Sequence, residues 1–498
     1  MARNTRKASS RLFALESLET RNLLSATLLD GVVTIDGGSG NDVAYVGSRV
    51  INGVNTLEVK LNGEVTTYDP SQVQQIRFNG YAGSDTFTAA QNLTISVVAY
   101  GGMGRDTLIG GAGSDYLYGE GGNDIIRGRG SDDWIQGDAG DDNLSGGDGR
   151  DWIYGAAGRD TLFGNGAKDY LFGGAGADKV YGGLGNDLLV SIDGFSNDQL
   201  FGELGRDTFW FDRNGANRDQ VLDGTASENT NKHAVASFAN GADRTLDGDD
   251  IADPTDGTHY KNFYSHYLFD YYGATVNDVD QNQLGDCWLQ AAMGAMVKAS
   301  PNSIEQVVGD MGDGTYAVKL GGKYYRVDSD LPTKSENSQD LVYGGLGSGG
   351  TLWAAMIEKA YAFYRDGSNT YASLNGGLIK DALAAMGAKD TGLKLFSTYA
   401  NATAMLQDIQ AKLNAGLAVG AGGINQVPSG TPLVTNHAYT VISVNFESGV
   451  PVSITLRNPW AKDGGGSTDG NDDGYVTVTG AQLFATTGGK VQWGKPIR

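Results

Sequence analysis

Aspartates stand at Asp106, Asp115, Asp124, Asp133, Asp142, Asp151, Asp160, Asp169, Asp178 and Asp187, nine residues apart every time. Two residues after each comes an aliphatic side chain, from Leu108, Leu117 and Ile126 through to Val180 and Leu189. Glycines precede each aspartate, as in "GGMGRDTLI", "GGAGSDYLY" and "GGLGNDLLV", and two further copies follow a short insertion at Asp198 and Asp207. Each unit reads as a glycine turn leading into a short strand whose aliphatic residue points inward. One unit cannot bury that residue alone, whereas a stack of them forms a continuous core. The composition agrees: glycine makes up 76 of 498 residues against only 9 prolines, so the excess has a regular use rather than a linker's.

The charge says what such a stack needs. A net charge of −22 argues against nucleic acid and anionic membrane as partners and favours neutralisation by cations. An Asp at the end of each turn is a hard oxygen donor, and glycine leaves backbone carbonyls free to face an ion, which suits calcium. A metal-free solenoid is the other reading, and it leaves the stacked carboxylates repelling one another. The pattern resembles the RTX calcium-binding nonapeptide repeat, which implies a parallel β-roll over residues 101–213 with the ten aspartates among its calcium ligands. Residues 27–100 read as a β-rich cap in which "GGSGNDVAYV" and "NGYAGSDTFTA" are degenerate copies of the repeat. Residues 214–262 are polar, acidic and poor in long aliphatics, and read as a linker.

The amino-terminal segment, residues 1–26, has a basic start, but Glu16, Glu19 and Arg21 interrupt what would be the apolar stretch of a secretion signal. An amphipathic helix is one reading. "LESLETRNLLSA" also resembles the short sorting segment of many surface proteins of planctomycete bacteria, which implies a secreted or cell-surface location with possible surface attachment. No apolar stretch reaches the roughly 20 residues that span a bilayer.

From about Phe263 the composition becomes that of a globular domain, and within it lies the chain's one cysteine, Cys287, so no intramolecular disulfide can form. A lone thiol is more often core packing than chemistry. "CWLQAAMGAMVKAS" reads as a helix with Asp286 as its cap, placing Cys287 in the first turn, where the helix dipole favours a thiolate by about 0.3–1 kcal/mol. A nucleophile also needs a base. His437 heads a β-branched run, and Asn458 stands 21 residues later at a second strand end, where its amide could orient the imidazole.

"GATVNDVDQNQLGDCWLQAA", "YYRVDSDLPTK", "LWAAMIEKAYA", "LNGG", "NHAYTV", "LRNPW" and "DDGYVTV" occur in that order. Together they resemble the calpain family of papain-like cysteine proteases over residues 263–498, an α+β core of two subdomains. The resemblance implies Cys287 as nucleophile, His437 as general base and later acid, Asn458 as orienter and Gln281 as oxyanion-hole side chain, with Trp288 and Trp460 flanking the cleft. It further implies a protein or peptide substrate, an imidazolium–thiolate pair, and calcium ligands at Gly273 and Asp278. The acidic residue expected two positions before Trp353 is instead Thr351, and Asp463, Asp469 and Asp472 lie in a shortened, glycine-rich loop. The expected whole is a multidomain protein, an all-β calcium roll followed by a cysteine endopeptidase; a calcium-dependent surface adhesion protein with an inactive protease-like domain is the alternative.

Overall fold

The computed structural model describes residues 25–497 apart from 195, 214–218, 223–231, 245–250, 258, 270–272, 282–283, 339, 347–349, 368 and 463–472. The expected targeting segment lies outside the described residues except for its last two, and so do Asp463, Asp469 and Asp472. The chain forms two compact units, Met1–Gly147 and Asp148–Arg498.

In the first unit successive nonapeptides feed two parallel sheets in alternation. Tyr116–Gly121 pairs with Ser96–Met103 on one side and Trp134–Ala139 on the other, with Leu117 opposite Ile135, so partners are two repeats apart. Thr107–Ile109 lies between Thr86–Ala89 and Ile125–Gly130 in the other sheet. The inward aliphatics Leu108, Leu117, Ile126, Ile135 and Leu144 are all fully buried between the sheets. The tight turns demand glycine: Gly122 has φ +141°, and a Cβ there would stand 1.4 Å from the Gly104 carbonyl oxygen. Each aspartate binds the turn beneath it. Asp124 Oδ1 accepts the Asp106 backbone N–H at 2.7 Å, and Asp133 Oδ1 accepts that of Asp115 at 2.8 Å. The expected cap joins this ladder, since Asp85 accepts from Asp42 and Asp106 from Asp85. It closes with antiparallel strands, Ser25–Leu29 on Val32–Asp36 and the meander Val43–Ile51, Val54–Leu61, Glu64–Tyr68.

The second unit opens with the same register, Asp151 N–H to Asp169 and Asp160 N–H to Asp178, and carries it past the insertion to Asp198 and Asp207. Here the structure corrects the sequence reading. Asp219 also belongs to the ladder, accepting the Asp198 N–H at 3.1 Å, so the roll runs beyond residue 213. Nor are residues 214–262 a free linker in their described parts. Gln220–Val221 and Lys232–Val235 extend the two roll sheets in parallel, and Val235 and Phe238 are buried. Asp256 accepts the Tyr371 and Ala372 backbone N–H groups, and Tyr260–Asn262 pairs with Asp330–Pro332. Average polarity over this stretch concealed the few apolar residues that anchor it.

The carboxy-terminal region has two cores. Helices α1 (Cys287–Ala299), α2 (Trp353–Asp366) and α3 (Ile379–Ala385) build the first with the antiparallel strands Val308–Asp310, Thr315–Leu320 and Lys323–Asp328. The second is a six-stranded antiparallel sheet in the order Lys389–Leu395, Lys490–Lys495, Ala418–Gly422, Ala438–Glu447, Val450–Arg457, Tyr475–Thr479, covered by α4 (Ala402–Asn414) and α5 (Gly480–Phe484). Helix α1 meets that sheet at close range: Thr440 Oγ1 donates to the Ala291 carbonyl at 3.0 Å, and a Cβ at Gly294 would stand 2.4 Å from the same hydroxyl.

The late roll turns pack directly on the first core. Tyr170, Phe172, Leu188, Val190 and the fully buried Trp210 share an apolar cluster with Met311 and Ala317. His233 stacks on Trp210 at 4.2 Å between centroids and contacts Gln306 Oε1 through Nε2 at 3.0 Å, while Gln306 Nε2 donates to Thr208 Oγ1. Burial holds the His233 imidazole neutral, with its pKa down to about 3. At about 1.5–3 kcal/mol for each large apolar side chain buried, this contact couples the late roll turns to the first core.

Candidate active site

Each chemical group sits where a regular element ends. Cys287 is the first residue of α1. His437 directly precedes the strand Ala438–Glu447, and Asn458 directly follows the strand Val450–Arg457, neighbours in one sheet. The fold pairs the last two directly and sets Cys287 against the backbone beside His437. His437 Nε2 lies 2.7 Å from Asn458 Oδ1, and both residues are buried. That oxygen also accepts the Trp460 backbone N–H at 3.0 Å, so it is the carbonyl end of the amide. Nε2 must therefore carry the proton of the neutral imidazole, which leaves the Nδ1 lone pair free to act as a base. Trp460 lies against the His437 ring at 4.3 Å, and Tyr439 meets it edge-on at 5.1 Å. The Ala438 backbone N–H, one residue from His437, bonds the Cys287 sulfur.

Burial opposes charge on both partners. It pushes the Cys287 thiol up to about 11, with the Asp286 carboxylate adding to the rise, although N–H groups of Ala438, Trp288 and Cys287 work against it. Burial also lowers His437 to about 4 against the pull of Asn458. Burial thus works against the imidazolium–thiolate pair expected from the resemblance.

The remaining expected residues are placed as follows. Gln281 is buried, its backbone N–H donates to the Pro459 carbonyl at 2.8 Å, and its Nε2 donates to the Leu284 carbonyl, so the side chain must turn to meet an oxyanion. Trp288 is buried in the first core and donates Nε1 to the Leu374 carbonyl. Asp278 is buried and accepts from the Thr275 backbone N–H and from Trp353 Nε1, while Gly273 adopts φ +77°. Thr351 is buried with no partner for its hydroxyl. Among the described residues no group of three or more acidic, His or Cys side chains is placed to hold a metal. Asp286, expected as a helix cap, makes no capping bond and turns inward to Gln290.

Sequence reasoning missed two other supports. Arg457 reaches from the second core to the Val279 carbonyl at 2.8 Å and to Asn277 Oδ1, and Asn375 Oδ1 accepts the Gly285 N–H at 2.9 Å. Neither has a spacing that would have revealed it.

The roll offers a second kind of site. The Oδ2 atoms of Asp106, Asp124, Asp178 and Asp187 are buried without a hydrogen-bond donor. A Cβ at Gly101 would lie 2.5 Å from Asp106 Oδ2 and 2.8 Å from the Gly119 carbonyl oxygen; at Gly182 the distances are 2.6 Å to Asp187 Oδ2 and 2.8 Å to Gly202 O. Carboxylate and carbonyl oxygens converge on space kept open by the glycine, and acceptors facing one another fit a hard cation. The donors are one side chain per turn plus backbone, consistent with the lack of such side-chain clusters among the described residues. Burial, with neighbouring carboxylates adding, raises Asp124 and Asp187 to about 7 and Asp178 to about 9. A bound cation would relieve that penalty.

A buried imidazole–amide pair, a thiol bonded by the neighbouring backbone N–H and a repeat of buried aspartates together describe a candidate thiol site and a cation-binding repeat. Comparison with known sequences narrows both. Residues 258–469 match the model of the calpain family cysteine proteases. Residues 29–48, 100–135, 127–162, 154–189 and 192–213 match the RTX calcium-binding nonapeptide repeat. Similar proteins include calpain-2 catalytic subunit of Gallus gallus, 27% identical over 206 residues, calpain-9 of Rattus norvegicus, 30% over 209, and calpain-8 of Homo sapiens, 29% over 211. Each alignment covers 38% of this chain and only 28–29% of the relative's length. The chain thus carries a calpain-family cysteine protease domain behind RTX calcium-binding repeats, and calcium is its cofactor. No helix among the described residues is long and apolar enough to cross a membrane.

Proposed function

We propose that the protein is a secreted or surface-held cysteine endopeptidase with a papain-like two-subdomain core, and that its calcium acts through the roll. The observation that carries this reading is the buried His437–Asn458 bond, with the chain's one thiol held by the backbone N–H of the next residue, Ala438. With both partners neutral at rest, His437 removes the thiol proton as sulfur attacks the scissile carbonyl. The Cys287 N–H and the turned Gln281 amide receive the oxyanion. His437 then protonates the leaving amine, and water drawn in by the same imidazole releases the acyl group. The roll aspartates and glycine carbonyls hold calcium, which neutralises the stack and fixes the turns that pack on Met311 and Ala317. Secretion rests on the amino-terminal resemblance and on the repeat type.

A thiol-reactive peptide probe tests the reading. Incubated with the full chain in calcium, it is expected to label Cys287 and to leave Cys287→Ala unlabelled. A folded wild type that stays unlabelled would favour the adhesion alternative.

A further inference from the structure

The residue before the nucleophile is an acid that the proposed chemistry leaves unused. Asp286 is fully buried, as are Gln290, one turn along α1, and Glu358 of α2. One amide nitrogen joins the two carboxyl groups: Gln290 Nε2 donates to Asp286 Oδ2 at 3.0 Å and to Glu358 Oε2 at 3.1 Å. Asp286 Oδ1, Glu358 Oε1 and Gln290 Oε1 have no partner.

The groups around the cluster supply no compensating charge. Gln281 approaches Asp286, and the Gly344 backbone N–H and the phenols of Tyr343 and Tyr371 approach Glu358. Lys359, the neighbour of Glu358, turns away to Asp253 and Asp328. Cys287 itself faces Asp286, Tyr439 and the Ala438 backbone N–H. Among the described residues no cation pairs with either carboxyl, so two negative charges here would be uncompensated and at least one group keeps its proton.

We propose that Asp286 is a positioning residue that acts through Cys287: the protonation state of its buried carboxyl, tied through Gln290 to Glu358, sets how readily the neighbouring thiolate forms, the protonated carboxyl favouring it and the carboxylate opposing it. The inference rests on the reading of Cys287 as nucleophile. Three directions fit it. An Asp286 carboxylate disfavours the thiolate by simple repulsion. Burial raises Asp286 to about 7 and holds Glu358 well above its usual range. The Gln290 amide works the other way, because its donation favours the ionised carboxylate. As pH rises Asp286 loses its proton before the thiol does, so each gain in thiolate meets a new opposing charge.

The test is the pH profile of iodoacetamide alkylation of the full chain in calcium, read by intact mass, with Cys287 as the only target. Asp286→Asn mimics the protonated acid. It is expected to lower the alkylation midpoint by about one pH unit, equivalent to about tenfold faster labelling on the rising limb. Gln290→Leu removes the donor that favours the carboxylate and is expected to move the midpoint in the same direction. A merely structural role would change folding or the limiting rate but not the midpoint. An unchanged midpoint in Asp286→Asn overturns the inference; should that variant fail to fold, an unchanged midpoint in Gln290→Leu does so. A wild type that is not alkylated at any pH instead overturns the nucleophile reading, and this inference with it.

Discussion

Replacing Cys287 by alanine is expected to lower hydrolysis of a casein-type substrate by about 10⁴–10⁶-fold, the loss seen when a nucleophile or its base is removed from a concerted set. His437→Ala should fall by a similar factor, since burial makes the thiol a poor nucleophile until a base takes its proton. The double variant should be hardly worse than either single one, because the two act as one unit. Smaller losses are expected for the supports: about 10²–10³-fold for Gln281→Ala, which removes one oxyanion donor, and about tenfold for Asn458→Ala if it loses one neutral hydrogen bond to the imidazole. The check is initial rates of all variants at equal folded concentration in calcium. Near-wild-type rates in either Cys287→Ala or His437→Ala would refute the assignment.

Removing calcium is expected to have the largest structural effect. Each site at a free concentration one hundred times its dissociation constant contributes about 2.7 kcal/mol, so a few filled sites match the entire stability of an ordinary domain. Without the ion the buried aspartates face one another and must take up protons or separate. Chelator should therefore expose the amides between Asp42 and Asp219 to rapid hydrogen exchange, and calcium at about 10⁻⁴–10⁻³ M should restore protection. Because Tyr170, Phe172 and Trp210 pack on Met311 and Ala317, the strands around Thr315–Leu320 should lose protection with the roll. The sheet bearing His437 and Asn458 has its own core and should lose less. Equal protection of the roll in chelator and calcium would contradict the account.

The roll was legible because its period is written in residue types: a nine-residue Asp register can satisfy its backbone only by bonding two repeats away, as Asp106 does with Asp124. Its end was not, since Asp219 lies twelve residues past Asp207 and lacks the glycine spacing. The linker error has the same cause; Lys232–Val235 is too short to stand out from the polar residues around it. In the candidate site, Cys287, His437 and Asn458 were legible as candidates from helix-start and strand-end positions together with ordered motifs, and the structure sets them at those element ends. Asp286 does stand at the N-cap position, but its side chain makes no capping bond, because position alone does not say where a side chain turns; Gln290 and Glu358 of α2, far away in sequence, decide that. The charge state of the thiol depends on burial, which no spacing encodes.

The most direct measurement of the central claim is rapid acid quench of the full chain with an activated peptide ester, followed by mass mapping of the adduct. The account predicts a burst of product and a thioester on the peptide that contains Cys287, absent in Cys287→Ala and accumulating to less than the wild-type level in His437→Ala. Ester turnover with no adduct at Cys287, or with an adduct at another residue, would contradict it.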